Sequence, residues 1–272
     1  MLKIAGIQMN CAPEPEKNLE RAEWLVDLAA ESGARMICLQ ALFTTHWFPA
    51  DINPEHFHLA EGIPGPTTTV MQEIARRKEV VLVLPFFEKD PRGIYFNAAA
   101  VIDADGSLLG KYRKVHVPQL PLWEERAYFQ PGDLGFPVFQ TRYGKVGVQI
   151  CWDNFFPEGS RILALKGAQV IFAPTAAALE SHQKWERVIC ANAAASGVYI
   201  LRVNRVGEEA KQTFYGKSFC ATPEGDLLDQ PSGAIEGVVL ATIDLSEIER
   251  TRRVWTFLRD RRPELYGELL AG

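Results

Sequence analysis

The chain has 272 residues, 47% of them hydrophobic and 23% charged, and 29 basic against 34 acidic side chains leave a formal charge of −5. That is long enough for one large α/β domain with a sizeable core. It is too acidic for a general polyanion binder and too rich in apolar residues for disorder. Five widely spaced cysteines (Cys11, Cys38, Cys151, Cys190, Cys220) fit a reducing compartment better than a disulfide framework, and no paired Cys/His spacing suggests zinc. The N-terminus shows no secretory pattern, and the longest apolar run, residues 80–87, is far short of the ~18–20 residues of a membrane span. A soluble cytoplasmic protein is expected, with neither membrane nor nucleic-acid partner.

Residues 3–9 form a short apolar run closed by turn residues and read as a buried strand. After Pro13 and Pro15, Leu19, Ala22, Leu25, Val26 and Ala29 recur on one helical face until Gly33 stops it, and 35–39 read as a second strand. Residues 41–66 read as one long loop, a length that in a compact domain points to function. Segments 97–102 and 108–113 flank the turn Asp103-Ala104-Asp105-Gly106, and 214–221 and 227–229 flank Pro223-Glu224-Gly225-Asp226, both in hairpin patterns. Strand 145–150, helix 157–166, strand 169–173, helix 182–196 and strand 198–203 repeat a strand–helix–strand grammar. Gly33-Ala34-Arg35-Met36-Ile37 is echoed by Gly167-Ala168-Gln169-Val170-Ile171. These units predict a mixed sheet core with helices outside, and no Pro/Gly/Ser-rich linker divides residues 1–272.

In open α/β sheets ligands collect beyond the carboxyl ends of strands. Three such ends carry chemistry: Gln40-Ala41, Lys114 and Cys151. Cys151 falls between a strand and the Pro157 helix, where a tight turn can expose a thiol and nearby N–H groups favour its thiolate.

Three runs make the pattern specific. Gly147-Val148-Gln149-Ile150-Cys151-Trp152-Asp153-Asn154-Phe155-Phe156-Pro157-Glu158 resembles the nucleophile motif of the nitrilase, or carbon–nitrogen hydrolase, superfamily. Gly110-Lys111-Tyr112-Arg113-Lys114-Val115-His116-Val117-Pro118 resembles its lysine motif. Glu125-Arg126-Ala127-Tyr128-Phe129, followed by Pro131-Gly132-Asp133, resembles the segment bearing an additional glutamate. The resemblance implies a single-domain, four-layer α-β-β-α sandwich, a Glu–Lys–Cys catalytic set, no cofactor and a homo-oligomer with the tail 253–272 at a subunit contact. In that scheme Cys151 attacks a carbonyl carbon bonded to nitrogen, Lys114 and the Trp152 backbone N–H hold the oxyanion, and Glu125 orients the lysine or the substrate. A fixed ammonium beside the thiol would also lower its pKa.

The chain departs from the family where Leu39-Gln40 is followed by Ala41, the position of the general-base glutamate. Alanine cannot take the thiol proton or hand one to the leaving amine, so severe impairment is expected. With Lys114, Glu125 and Cys151 retained, the lone vacancy reads as an inactivating substitution. The competing readings are a natural pseudoenzyme, or a binding protein that senses a small amine or amide.

The run from Trp255 to Tyr266, with Thr213-Phe214-Tyr215-Gly216 and Trp47-Phe48-Pro49, resembles the N-carbamoylputrescine amidase branch, and Glu180 is the candidate carboxylate for a cationic substrate end. The segment 177–184 is shorter than that branch carries, so a nitrile, another aliphatic amide or a carbamoyl amino acid stays open. His56 and His58 lack further metal-ligand partners and read as loop histidines. The tail arginines are expected to pair with Glu249, Asp260 and Glu264, within the tail or across a subunit contact.

Overall fold

The computed structural model describes residues 1–178, 180–209 and 211–270. One six-stranded sheet is built from β1 (Leu2–Gln8), β2 (Met36–Leu39), β3 (Val81–Lys89), β4 (Tyr95–Ile102), β5 (Leu108–Arg113) and β13 (Gly237–Ile243), in the order β13-β1-β2-β3-β4-β5. A five-stranded sheet takes β6 (Val138–Thr141), β7 (Gly144–Val148), β8 (Val170–Pro174), β9 (Tyr199–Val203) and β12 (Phe219–Ala221), in the order β12-β9-β8-β7-β6. At the centre of each, parallel strands are joined by helical crossovers: β1 pairs with β2, and β7, β8 and β9 run together. The edges are antiparallel.

The near-continuous apolar runs follow from burial on both faces. Along β2 and β3, Met36, Cys38, Val81 and Val83 point into the core shared with Val146, Val170 and Phe172 of the second sheet. Their neighbours Ile37, Leu39, Leu82 and Leu84 pack outward. There they meet Leu25, Val26, Met71 and Ile74 of α1 (Pro15–Glu31) and α2 (Pro66–Lys78). Helices α3 (Pro157–Leu165) and α4 (His182–Ser196) cover the other sheet, giving the four-layer α-β-β-α sandwich. The sheets approach so closely at Gly6 that a Cβ there would stand 2.7 Å from Val203 Cγ2. Helix α5 (Leu245–Val254) follows β13.

Two expectations needed correction. Residues 41–66 are not structureless: 3₁₀ turns form at Phe48–Ala50 and Pro54–Leu59. Phe48 stacks on Phe87 at 5.0 Å, and the Tyr128 hydroxyl donates to the Asp51 carbonyl (2.8 Å) and accepts from Asn53 N–H (2.8 Å). Residues 214–221 are not one hairpin strand either. Gly216 and Lys217 take φ of 65° and 55°, a left-handed break. It sends β11 (Gln212–Tyr215) to pair with β10 (Val206–Glu209), while β12 joins the five-stranded sheet. The turn at Asp103–Gly106 forms as expected, with Gly106 N–H on the Asp103 carbonyl at 2.9 Å. Tail arginines find local acids: Arg253 with Glu249 at 3.5 Å, Arg259 with Asp260 at 3.6 Å, and Arg262 with Glu264. Among the described residues no helix is long and apolar enough to cross a membrane.

Candidate active site around Cys151

Strand β7 ends at Val148, and Cys151 opens a 3₁₀ turn spanning Cys151–Phe155. Its φ of 49° places a non-glycine residue in the left-handed region, a conformation that costs of order 1–3 kcal/mol and persists only when its surroundings fix it. They do. The Asn154 amide donates to the carbonyls of Gln149 (3.2 Å) and Cys151 (2.9 Å), and Asn192 on α4 donates to the Asn154 carbonyl (2.7 Å). Asp153, fully buried, accepts from Ile150 N–H (2.9 Å), His116 N–H (2.9 Å) and the Tyr112 hydroxyl (2.7 Å). One carboxylate thus ties the cysteine turn to the segment on either side of Lys114.

Lys114 follows β5 directly and is 1% exposed, and its Nζ donates to Glu125 Oε2 at 2.5 Å. Glu125 sits on a one-turn 3₁₀ helix, Glu125–Ala127, with no exposed surface. Burial pushes Lys114 toward its neutral form, but the Glu125 carboxylate and Cys151 outweigh it and hold the ammonium above its ordinary range. Burial raises the Glu125 carboxyl, with Lys114 pulling the other way. Its Oε1 is buried without a hydrogen-bond partner. Burial also raises the Cys151 thiol above its ordinary value of 9.0, and Lys114 offsets only part of this. The expected lowering by the ammonium is therefore present but loses to desolvation.

Ala41 lies two residues past β2, is 1% exposed, and packs in the same core as Cys151. Its segment is held by Arg205, which sequence reasoning missed. The buried guanidinium donates to the carbonyls of Ala41 (3.1 Å), Leu42 (2.7 Å) and Thr45 (3.1 Å) and to the Glu209 carboxylate (2.7 and 2.9 Å). Glu209 in turn accepts from Trp47 N–H at 2.7 Å. The sequence signal was the spacing of Arg205 and Glu209, four residues apart.

A small cavity of about 60 Å³ opens over Cys151, walled by Trp123, Trp152, Ala177, Ser181 and Trp185 among others. On the other side of Trp152 a larger space of about 420 Å³, lined by His116, Arg126, Phe129 and Phe156 among others, does not include the cysteine. The smaller one holds the thiol. Glu180 is exposed and is not part of that lining, although its neighbour Ser181 is. Residues 179 and 210 lie outside the described set. His56 Nδ1 pairs with the Tyr128 hydroxyl at 3.1 Å. Among the described residues no group of three His, Cys, Asp or Glu side chains could hold a metal.

The cavity holds a thiol in a strained turn, and the buried Lys114–Glu125 pair acts on that thiol electrostatically. The carbon–nitrogen hydrolase family model matches residues 3–253. The chain belongs to the carbon–nitrogen hydrolase family. This hydrolase is 42% identical to the N-carbamoylputrescine amidase of Solanum lycopersicum over 99% of the chain and 95% of the relative. It is 38% identical to the citrullinase of Francisella tularensis (99% and 98% covered) and 40% identical to the nitrilase of Pyrococcus abyssi (98% and 99%). The carbon–nitrogen hydrolase structure from Helicobacter pylori G27 superposes with a TM-score of 0.95 at 34% identity, covering 99% and 98% of the two chains. Two glutamate variants of the Nesterenkonia amidase, 26% identical to this chain, carry covalent additions at their active-site cysteine, one from acrylamide and one from fluoroacetamide.

Proposed function

We propose that this amidohydrolase scaffold cleaves the C–N bond of a small amide or carbamoyl amine through an acyl-enzyme on Cys151, and that Ala41 blocks the cycle at the proton transfers. N-carbamoylputrescine is the reference substrate on the strength of the plant relatives, with nitriles, carbamoyl amino acids and other aliphatic amides as the remaining classes. The supporting observation is the buried Lys114–Glu125 pair, at 2.5 Å, electrostatically linked to a cysteine in a left-handed turn.

In the first half-reaction Cys151 Sγ bonds to the carbonyl carbon, and the oxygen takes the electron pair. The Lys114 ammonium and the Trp152 N–H meet that charge where water is excluded. Glu125, bonded to Lys114, keeps the ammonium aimed and charged. Collapse expels ammonia or an amine, which needs a proton. Water then cleaves the thioester and returns the thiol its proton. A carboxylate at position 41 would carry both protons, but the methyl of Ala41 carries neither. Acid–base groups of this kind contribute about 10²–10⁴-fold. Because the thiol is pushed up by burial, little thiolate forms without such a base. The exposed apolar tail, with Val254 72%, Leu265 64% and Leu269 71% exposed, supports a homo-oligomeric contact over 253–272.

The test is ammonia release by the Ala41→Glu protein from a panel of N-carbamoylputrescine, carbamoyl amino acids, aliphatic amides and nitriles. Turnover that disappears on adding Cys151→Ala supports the reading. Silence across the panel, with ligand bound unchanged, refutes it in favour of a sensing protein.

A further inference from the structure

Arg202 on β9 has no exposed surface, yet no carboxylate among the described residues forms an ion pair with it. Its Nη1 donates to the Lys217 carbonyl at 3.0 Å and its Nη2 to the Tyr215 hydroxyl at 3.1 Å, while Nε is buried without a partner. The guanidinium lies 4.9 Å from the Trp185 ring centroid, 5.5 Å from Tyr215 and 5.9 Å from Phe219. Aromatic faces offset part of the desolvation, and the Glu186 carboxylate acts on the guanidinium without forming an ion pair with it, so the buried charge still favours a nearby anion.

The place of this cation decides what the anion is. Trp185 is a wall of the Cys151 cavity, so Arg202 stands directly behind it. Tyr215, which accepts from Arg202, has its hydroxyl 3.4 Å from the Oγ of Ser181, another wall residue. Arg202 and Cys151 also influence each other electrostatically. Among the described residues no carboxylate lines the cavity, and Glu180 is exposed and outside its lining. A substrate ammonium would thus face a cation across a low-dielectric wall, whereas a carboxylate would face the Ser181 side of the cavity, with the Tyr215 hydroxyl and the guanidinium behind it.

We infer that Arg202 is the specificity-determining cation of the site, and that the preferred substrate bears its amide or carbamoyl group at one end and a carboxylate at the other. This rests on the hydrolase reading above and sharpens it against a cationic substrate end. The test uses three ligands of similar length: N-carbamoyl-γ-aminobutyrate, N-butylurea and N-carbamoylputrescine. In the Ala41→Glu protein, kcat/KM is expected to fall in that order, by about tenfold or more between the carboxylate and the neutral urea. Adding Arg202→Met, which replaces the guanidinium with an apolar chain of similar length, should reduce the anionic-to-neutral ratio by about the same factor. Calorimetric binding of the three ligands to the Ala41 chain itself gives the same ranking without turnover. A preference for N-carbamoylputrescine, equal rates for all three, or a uniform loss in Arg202→Met overturns the inference while leaving the hydrolase reading intact. Absence of turnover on every substrate, together with an anionic binding preference, sinks the hydrolase reading alone.

Discussion

Replacing Arg205 by methionine would remove a cation that holds the segment carrying position 41. Arg205 and Glu209 are both buried and joined by contacts of 2.7 and 2.9 Å. Removing one partner of such a pair costs about 3–5 kcal/mol, because the other is left charged and dry. In a domain of this size that corresponds to a fall of roughly 6–20 °C in melting temperature. The carbonyls of Ala41, Leu42 and Thr45 also lose their donor. The Arg205→Met/Glu209→Met double variant is therefore expected to recover only part of the loss, that part due to the stranded carboxylate. Thermal and urea unfolding of the parent, both single variants and the double variant form a cycle that separates the two contributions. An Arg205→Met protein that unfolds within about 1 kcal/mol of its parent would refute the assignment of Arg205 as the clamp.

Further outcomes follow from the same geometry. Alkylation of Cys151 by iodoacetamide, followed by peptide mass, should accelerate with pH without levelling off below 9.0, since burial raises the thiol and the reactive thiolate accumulates only above that raised value. Lys114→Met should shift the profile further upward, and a plateau near neutrality would show the Lys114 influence to be dominant instead. Gly6→Ala should destabilise the fold by about 1–3 kcal/mol through its collision with Val203. Val203→Ala in that background should relieve the loss, and denaturant midpoints will show whether it does.

Much of the architecture was legible because the chain alternates between two buried faces and punctuates its helices with glycine. Gly33, Gly167 and Gly197 mark stops at φ of 91°, 93° and 57°, and α4 spans the anticipated 182–196. Helix α2 went unread because Thr67 and Thr68 dilute the buried face that it shares with Met71, Ile74 and Ala75, and three turn-forming residues, Pro64, Gly65 and Pro66, precede it. The break at Gly216-Lys217 was hidden by the apolar residues on both sides. At the site, motif spacing made Cys151, Lys114 and Glu125 visible; all three are buried, and Lys114 bonds Glu125. Asp153 could be seen only as a motif letter, since nothing local reveals that its carboxylate binds Tyr112 and His116 some forty residues upstream. Arg202 and Arg205 were invisible for a similar reason. A charged side chain in a strand or at its end looks exposed until the layers on both sides are in place.

The cysteine turn hangs from the five-stranded sheet, whereas Lys114 and position 41 hang from the six-stranded one. The two halves of the proposed reactive set are therefore aligned by the interlock of the sheets, much as the jaws of a vice are aligned by its slide. Asp153 and the tight seat of Gly6 against Val203 act as the detents. In the Ala41→Glu protein, any substitution that lets the layers creep past one another, however far from the cavity, should degrade turnover before it unfolds the chain.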